Sequence, residues 1–385
     1  MPALGAGRSL IGMIDLLCFA AGIFCGFREA SLEKMSLYHP VKIGSLSLGG
    51  NLFLAPVAGY SDRAFRSICA DCGADFAYTE MVSSEALTRN NGKTELLMRR
   101  APNESAYAVQ IFGGSAETMA AAARIVLEKT SCECIDINGG CPVPKIIKSN
   151  AGSALTRDPE HLFRIVSAVV AAVRNYGGKR VSREGVIVPY DKEIPVTVKF
   201  RLGWDDENIT WRECAESALK AGASAITMHG RTRAQGYEGK SDWNALAELV
   251  KFVAERTAGG EKIPVFGSGD AFSPQDAKRM LEETGVDAVM FARGAMGNPF
   301  LFTKTREFLT GGAVPEIPAG KRIQAGFREL DLLVSDLGEI AACREARKRF
   351  CAYSKGLEGG AALRKAIVSA ESVADYKAVF GPYIS

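Results

Sequence analysis

This 385-residue chain lacks His and Cys residues at the spacings that are typical of metal ligands. It contains only three His, and its ten Cys do not alternate with them at the intervals that zinc sites require. Cys69 and Cys72 form a Cys-x-x-Cys pair, but Cys132 and Cys134 are too close together to complete a zinc site with it. We therefore predict no metal site, and we expect reduced cysteines, as in proteins of the cytoplasm.

An excess of charge of either sign is also absent. The chain has 47 Lys and Arg against 44 Asp and Glu, a formal net charge of +3, so any surface that binds a polyanion has to be local. Its composition, with 47% hydrophobic and 24% charged residues, excludes a disordered chain. No Gly-x-Gly-x-x-Gly motif follows a predicted strand, which argues against a Rossmann nucleotide-binding domain.

Long hydrophobic runs are lacking apart from one at residues 10–27, which Asp15 interrupts. The run is at the lower limit for a membrane-spanning helix, the carboxylate is costly in a membrane, and no small-x-small cleavage site is evident. We expect no stable membrane association and interpret residues 1–34 as translation from a start site upstream of Met35. A genuine peripheral extension and a membrane anchor are the alternatives.

Short apolar segments rich in β-branched residues alternate along the chain with segments of helical periodicity. Residues 115–129, 211–221 and 273–284 are such helical segments, and Ser115 and Ser273 are typical N-caps. The alternation predicts an α/β fold, a (β/α)8 TIM barrel of parallel strands. The strands are predicted at 52–56, 76–80, 107–111, 134–138, 195–200, 224–229, 263–266 and 287–291.

The remaining segments define the predicted domains. Residues 35–309 form the barrel, with a hairpin at 41–50 across its bottom and a charged surface insertion at 176–193. Residues 310–320 are a Gly- and Pro-rich linker. In residues 321–385 apolar side chains recur with helical spacing, which predicts a C-terminal all-helical bundle.

Polar residues follow most of the predicted strands, and because the C-terminal ends of barrel strands line the active site, they are expected to share one pocket. Gly269 and Gly294 stand in the loops after strands seven and eight, the usual phosphate site of such barrels. Glycine lets backbone N–H groups approach an anion closely, and Arg293 adds positive charge. A phosphorylated ligand or cofactor is therefore predicted.

Lys199 at the end of strand five is compatible with two roles, a Schiff-base lysine as in aldolases or a fixed cation beside a cofactor. Its companions Gln110, Asn138 and His229 are suited to hydrogen bonding with the edge of a heterocycle, which favours a flavin. Cys141 follows strand four in a Gly-Gly-Cys-Pro turn, which is rigid and allows close approach. Since no base is adjacent in the sequence, a proton donor is favoured over a nucleophile.

These motifs together resemble the tRNA-dihydrouridine synthases, and most closely the bacterial branch with the longer C-terminal helical domain. The resemblance extends over about residues 38–380. It rests on LAPVAGYSDRAFR (54–66), TEM (79–81), VQIFGG (109–114), DINGGCPVPK (136–145), AGSAL (151–155), VTVKFRLGW (196–204), HGRTRAQGYEGKSDW (229–243), GSGD (267–270), ARGAMGNP (292–299) and REARKRF (344–350).

The resemblance implies an FMN cofactor and assigns residues to it. The implied FMN-binding residues are Pro56, Val57, Ala58, Gln110, Lys199, His229, Ser268, Gly269, Asp270, Ala292 and Arg293. Asn138, Lys145, Arg201 and Arg231 match positions that face the target base or the flavin. The chain departs from the family pattern at Gly139, usually Met, Ser268, usually Asn, and Ala292, usually Gly. Ser and Ala keep the backbone N–H groups that bind phosphate, but the side-chain hydrogen bond of the usual Asn is not carried over.

The resemblance further implies reduction of the uracil C5=C6 bond in the D-loop of tRNA, with NADPH as reductant. The flavin would deliver hydride to C6 and Cys141 a proton to C5. Between Arg344 and Lys365 seven Lys and Arg face two Glu, and the family uses this domain for tRNA. Arg347 and Lys348 are therefore expected to contact tRNA. We expect a monomer.

Two other functions are compatible with the same residues. An FMN barrel could act as a dehydrogenase on a free pyrimidine, although the basic helical tail argues against this. A non-catalytic RNA-binding or regulatory protein could retain the scaffold, although Cys141, Lys199 and Arg293 are all present. A yellow purified protein would distinguish the enzyme from the second alternative.

Overall fold

The computed structural model describes residues 36–384. The predicted upstream start and its two alternatives concern residues that lie outside this part of the chain. Within it, no helix combines the length and the apolar character that crossing a membrane requires.

Eight parallel strands form the centre of the fold, and the last pairs with the first, so the sheet closes. Every strand lies within a segment predicted from the sequence or extends beyond it by one or two residues. The predicted (β/α)8 barrel is confirmed. The strands are β1 (Leu52–Leu54), β2 (Phe76–Tyr78), β3 (Tyr107–Phe112), β4 (Cys134–Gly139), β5 (Val196–Arg201), β6 (Ala225–His229), β7 (Val265–Ser268) and β8 (Ala288–Phe291).

The inside of the barrel is filled by aromatic and small apolar side chains. Phe53 meets Phe76 and Phe266 edge to face, with ring centroids 5.6 and 5.0 Å apart. The antiparallel hairpin of Val41–Ile43 and Leu46–Leu48 packs against this cluster, as expected for a segment that covers the barrel bottom. The opposite end, where the strands terminate, is thereby left as the open mouth.

Amphipathic helices surround the strands, and their apolar faces form the main core of the protein. Ser115 and Ser273 accept hydrogen bonds from the N–H groups of Thr118 and Asp276, so both predicted N-caps are confirmed. The helices are α1 (Arg63–Asp71), α2 (Ser84–Thr88), α3 (Gly92–Leu97), α4 (Ala116–Lys129), α5 (Pro144–Ile147), α6 (Pro159–Arg174), α7 (Trp211–Lys220), α8 (Trp243–Arg256), α9 (Pro274–Thr284) and α10 (Leu301–Thr310).

The segment between α6 and β5 forms a second antiparallel hairpin, Lys179–Val181 with Ile187–Pro189. It lies within the predicted insertion at 176–193. Val186 and Ile187 at its turn are exposed. Arg180 of the hairpin donates to the carbonyl of Cys132, before β4, at 2.7 Å, and none of the hairpin residues lines the cavity at the barrel mouth.

Four further helices follow the barrel: α11 (Ala319–Leu337), α12 (Glu339–Tyr353), α13 (Gly360–Ser369) and α14 (Val373–Ile384). The expected helical tail is confirmed. Its apolar core includes Ala64 and Ile68 of α1, so the tail packs on the first barrel helix. An ion pair between Arg63 and Asp336, with N and O 2.6 Å apart, supports this contact.

Candidate active site

A cavity of about 260 Å³ opens at the carboxyl ends of the barrel strands. It is the position where barrel enzymes keep their active sites. Every residue expected from the sequence to hold a cofactor lines this one cavity, together with Asn138, Cys141 and Arg201. The residues expected to hold the cofactor are Pro56, Val57, Ala58, Gln110, Lys199, His229, Ser268, Gly269, Asp270, Ala292 and Arg293.

A directional chain of hydrogen bonds connects the barrel interior to the cysteine loop. The buried carboxylate of Asp136 accepts from Thr197 Oγ1 and from Gln110 Nε2, both at 2.6 Å. Gln110 Oε1 in turn accepts from Asn138 Nδ2 at 2.7 Å. Asn138 Oδ1 then accepts from the N–H groups of Gly140 and Cys141 at 3.1 and 2.9 Å. Both amide side chains are therefore held in one orientation.

The loop that carries Cys141 also packs closely against the backbone of Gly152. That glycine has φ +61°, and a Cβ there would lie 2.7 Å from the carbonyl oxygen of Cys141. Burial raises the pKa of the Cys141 thiol, while the backbone N–H of Val143 and the charge of Arg201 lower it. With its pKa above the ordinary value, the half-buried thiol keeps its proton at neutral pH, as a proton donor must.

Arg201 ties two loops of the cavity together. Its Nε donates to the carbonyl of Gly140 at 2.9 Å, and its Nη1 donates to the carbonyls of Thr232 and Gly236, also at 2.9 Å. The guanidinium also lies 5.8 Å from the ring centroid of Tyr237. Burial lowers the pKa of Arg201 to about 10, so the side chain stays cationic at neutral pH. Its positive charge can stabilise an anion that forms on Cys141.

Lys199 brings an ammonium group into the cavity wall. Among the described residues no hydrogen-bond acceptor is found for this ammonium. Burial, followed by the charge of Arg201, lowers the pKa of Lys199 to about 8, and Asp136 opposes this shift. A cation without a protein acceptor at a cavity wall is suited to an electron-rich ligand atom.

His229 stands beside Lys199 and is neutral at physiological pH. Burial and the cations Lys199, Arg201, Arg231 and Arg293 hold the pKa of His229 well below its usual range. Arg231 Nη1 lies 3.3 Å from His229 Nε2, and because an arginine only donates, that nitrogen accepts. The proton is therefore on Nδ1, which makes this nitrogen the donor.

The loops after β7 and β8 form an anion cradle. Gly269 has φ +114° and a Cβ there would meet Ser241 Oγ at 2.5 Å, while Asp270 has φ +59°. Within residues 36–384 no acceptor is found for the backbone N–H groups of Gly269, Asp270, Arg293 and Gly294. Unpartnered N–H groups that converge from two loops bind an anion such as a phosphate.

Two aromatic rings hold the guanidinium of Arg293 at the rim of this cradle. It lies 4.4 Å from the ring centroid of Tyr237 and 5.3 Å from that of Phe272. Its Nη2 is 3.7 Å from Asp270 Oδ1. The cation is thus positioned but only weakly neutralised, as a phosphate ligand requires.

Comparison with known proteins agrees with this arrangement. The family model of the dihydrouridine synthases matches residues 53–380. The chain belongs to the dihydrouridine synthase family. This membership confirms the family and the enzyme class predicted from the motifs, a flavin-dependent oxidoreductase.

Curated relatives of this family member match over nearly their whole lengths. It is 48% identical over 348 residues to a probable tRNA-dihydrouridine synthase of Treponema pallidum, covering 90% of this chain and 97% of the relative. It is 36% identical over 327 residues to tRNA-dihydrouridine synthase B of Pseudomonas putida, covering 84% and 88%. The solved structure of DHODH from Eimeria tenella shares the fold, with a TM-score of 0.50 at 15% identity, covering 79% and 91%.

Four residues expected near a base, a flavin or tRNA do not line the cavity of this family member. Arg231 is buried behind it, where it donates to both oxygens of Asp270 at 2.8 Å. Arg347 donates to the carbonyl of Ala370 at 2.9 and 3.1 Å and so closes the end of α13. Burial thus withdraws the guanidinium of Arg231, whereas the side chain of Arg347 stays 30% exposed. Lys145 is exposed on α5, and Lys348 is exposed on α12.

Arg349, counted with the basic run of the tail, is also buried in this family member. It pairs with Glu329 and with Asp62, the latter with N and O 2.5 Å apart. Tyr353 donates to Glu329 at 2.7 Å, and Asp62 caps α1. The loop from Val57 to Asp62, whose first residues line the cavity, is therefore fastened to the C-terminal helices.

Sequence reasoning missed Met81, Tyr237 and Phe272, all of which line the cavity. Tyr237 lies within the HGRTRAQGYEGKSDW motif and Phe272 directly follows GSGDA, so their positions beside expected site residues were the available signal. Both stand in loops, whose paths no periodicity reveals. No cluster of His, Cys, Asp and Glu suited to a metal occurs among the described residues.

Proposed function

We propose that this protein is an FMN- and NADPH-dependent tRNA-dihydrouridine synthase that reduces the C5=C6 bond of uridines in the tRNA D-loop. The observation that carries the proposal is the position of Cys141. Its protonated thiol lines the same cavity as the cation of Lys199 and the anion cradle formed by the loops after β7 and β8. The names of the curated relatives support tRNA as the substrate.

The residues present fit FMN at both ends. The unpartnered N–H groups of Gly269, Asp270, Arg293 and Gly294 suit a terminal phosphate, and a Cβ at position 269 would collide with Ser241. Arg231 and Ser241 both hold Asp270, the latter through its backbone N–H at 2.7 Å, so the cradle has a fixed shape.

At the other end of the cavity, the fixed amide of Gln110, the ammonium of Lys199 and Nδ1–H of His229 supply donors. Carbonyl and imine acceptors of a flavin pyrimidine ring need such donors. When bound, the flavin supplies the hydride for C6 of the uracil ring. The ammonium of Lys199 favours negative charge on the ring it faces, which strengthens hydride donation.

Residues of the protein carry out the protonation step that follows hydride transfer. Addition of hydride at C6 leaves negative charge shared between C5 and the C4 carbonyl, so C5 requires a proton. Cys141 supplies it from a thiol whose pKa is raised by burial. Arg201, which binds the adjacent carbonyl of Gly140, offsets the charge of the thiolate that remains.

Substrate handling requires the uridine to leave the base stack and enter the cavity. Besides its bond to Gln110, the side-chain nitrogen of Asn138 contacts, among the described residues, only the Met81 sulfur, a weak acceptor 3.8 Å away, so its second N–H is suited to a uracil carbonyl. We assign Lys145 and Lys348, both exposed, to phosphate contacts outside the cavity. We further propose that the enzyme acts as a monomer in the cytoplasm.

The test uses a host strain that lacks dihydrouridine. Mass analysis of released cofactor should identify FMN, and anaerobic NADPH should bleach the flavin absorbance of the purified protein. Expression should restore dihydrouridine in tRNA, at positions that map to the D-loop. A flavin that NADPH reduces and that a free pyrimidine, but not tRNA, reoxidises would contradict the proposal and favour a pyrimidine dehydrogenase.

A further inference from the structure

A second cavity, of about 660 Å³, lies beside the flavin cavity and is not used by the proposed reaction. It is bounded by the loop after β8, by α10 and by the ends of α11 and α12. The two cavities share Phe272, Arg293 and Gly294. A ligand in the second cavity therefore adjoins the anion cradle.

The charge of this second cavity is one-sided. Arg293, Lys304, Arg322 and Lys355 line it, and no Asp or Glu does. Within the described part of the chain, Lys304, Arg322 and Lys355 form no ion pair with a carboxylate. Cations gathered in a concave site without carboxylates select an anionic ligand.

Arg322 is also preoriented. Its Nη1 donates to the carbonyl of Lys355 at 3.0 Å, which fixes the plane of the guanidinium and leaves its other N–H groups available. A planar fork held in this way binds the oxygens of a phosphate group in pairs.

Two aromatic rings complete the lining. Phe272 is 46% exposed, a high value for a phenylalanine, and Tyr60 lines the cavity from the loop after β1. An exposed ring beside cations is suited to stacking with a planar base. The combined chemistry is that of a phosphorylated nucleotide.

Resting on the proposed function, in which NADPH is the reductant, we propose that this second cavity binds the adenosine 2′-phosphate end of NADPH. Lys304, Arg322 and Lys355 recognise the 2′-phosphate, and Phe272 and Tyr60 flank the adenine. Arginine is the usual partner of that phosphate in enzymes that distinguish NADPH from NADH. The shared wall lets the rest of the dinucleotide extend toward the flavin cavity.

The probe is adenosine 2′,5′-bisphosphate, compared with 5′-AMP by titration calorimetry on the flavin-loaded protein. The bisphosphate should bind more tightly than 5′-AMP, and Arg322→Gln or Lys304→Gln should weaken it by about tenfold each. Lys321→Gln is the matched control, because this exposed lysine precedes Arg322 but does not line the cavity. Arg322→Lys should restore part of the affinity.

The reductive half-reaction provides a second readout. Under anaerobic conditions, the variants should raise the dissociation constant of NADPH and leave the limiting rate of flavin reduction unchanged. The rate at which NADH reduces the flavin should also stay the same. Unaltered binding of the bisphosphate in both variants would overturn the assignment, as would a loss of tRNA affinity with nucleotide binding intact. Failure of the wild-type flavin to react with either nucleotide would instead count against the proposed function.

Discussion

The backbone N–H of Cys141 donates a 2.9 Å hydrogen bond to the side chain of Asn138. Asn138 belongs to β4, so a residue of the rigid barrel sets the position of a residue in the loop. The same side chain is held by Gln110, which is in turn held by Asp136. The position of the thiol is therefore determined by buried groups of the barrel.

Asn138→Ala removes this anchor and is expected to slow the reoxidation of reduced enzyme by tRNA. A misplaced catalytic group typically costs about 10²-fold in rate. Stopped-flow absorbance measures the reoxidation, and the rate of flavin reduction by NADPH serves as the control, which should change little. Reoxidation at the wild-type rate would show that the anchor is dispensable.

Gly152→Ala should also displace the cysteine loop. A Cβ at this position would lie 2.7 Å from the carbonyl oxygen of Cys141 and 2.9 Å from a methyl carbon of Ile146. Gly185→Ala is a matched control, because Gly185 also has positive φ, +80°, but nothing lies within 4 Å of its Cβ position. Both variants should lose about 1 kcal/mol of stability from the strain of a positive φ, and Gly152→Ala should lose more because of the collision. Only Gly152→Ala should lower turnover, and equal turnover in the two would contradict this role.

Most of the barrel could be predicted from the sequence, because each strand is a short apolar run that the barrel buries on both faces. Gln110, Lys199 and His229 could be placed in one pocket because strand ends meet at one edge of a closed parallel sheet. These inferences rest on local patterns and on one topological rule.

The environment of charged residues could not be predicted in the same way. Arg349 resembles a solvated residue of a basic helix, but its carboxylate partner Asp62 is 287 positions away in the chain. Arg231 directly follows a strand, where ligand-facing residues are expected. Its guanidinium instead binds Asp270 of the next loop and is buried. Only the folded chain brings such partners together.

Binding of FMN should weaken as the pH rises above about 8. Lys199 has its pKa lowered to about 8 by burial, so it is cationic below this pH and loses its charge above it. Quenching of flavin fluorescence measures the dissociation constant between pH 6 and 9. Lys199→Met should bind FMN more weakly at pH 7 and lack this component of the pH dependence. Parallel pH profiles in the two proteins would contradict the role of the ammonium.

Arg349→Met should lower the free energy of unfolding by about 3–5 kcal/mol, because it leaves the buried carboxylate of Glu329 without its partner. Urea denaturation measures the loss. The double variant Arg349→Met/Glu329→Gln should recover part of it, since no charge then remains buried without a partner. Arg344→Met, at an exposed position of the same helix, should change the stability by less than about 0.5 kcal/mol. A similar loss in both single variants would exclude a structural role specific to Arg349.

Cys141 is proposed to donate the proton to C5, and single-turnover reoxidation of the reduced enzyme by tRNA tests this role most directly. NADPH should reduce the flavin of Cys141→Ala at the wild-type rate, because the thiol has no part in that step. Addition of dihydrouridine-free tRNA should then reoxidise the wild type rapidly and the variant slower by about 10²-fold or more. Wild-type rates of reoxidation and of dihydrouridine formation in Cys141→Ala would contradict the assignment.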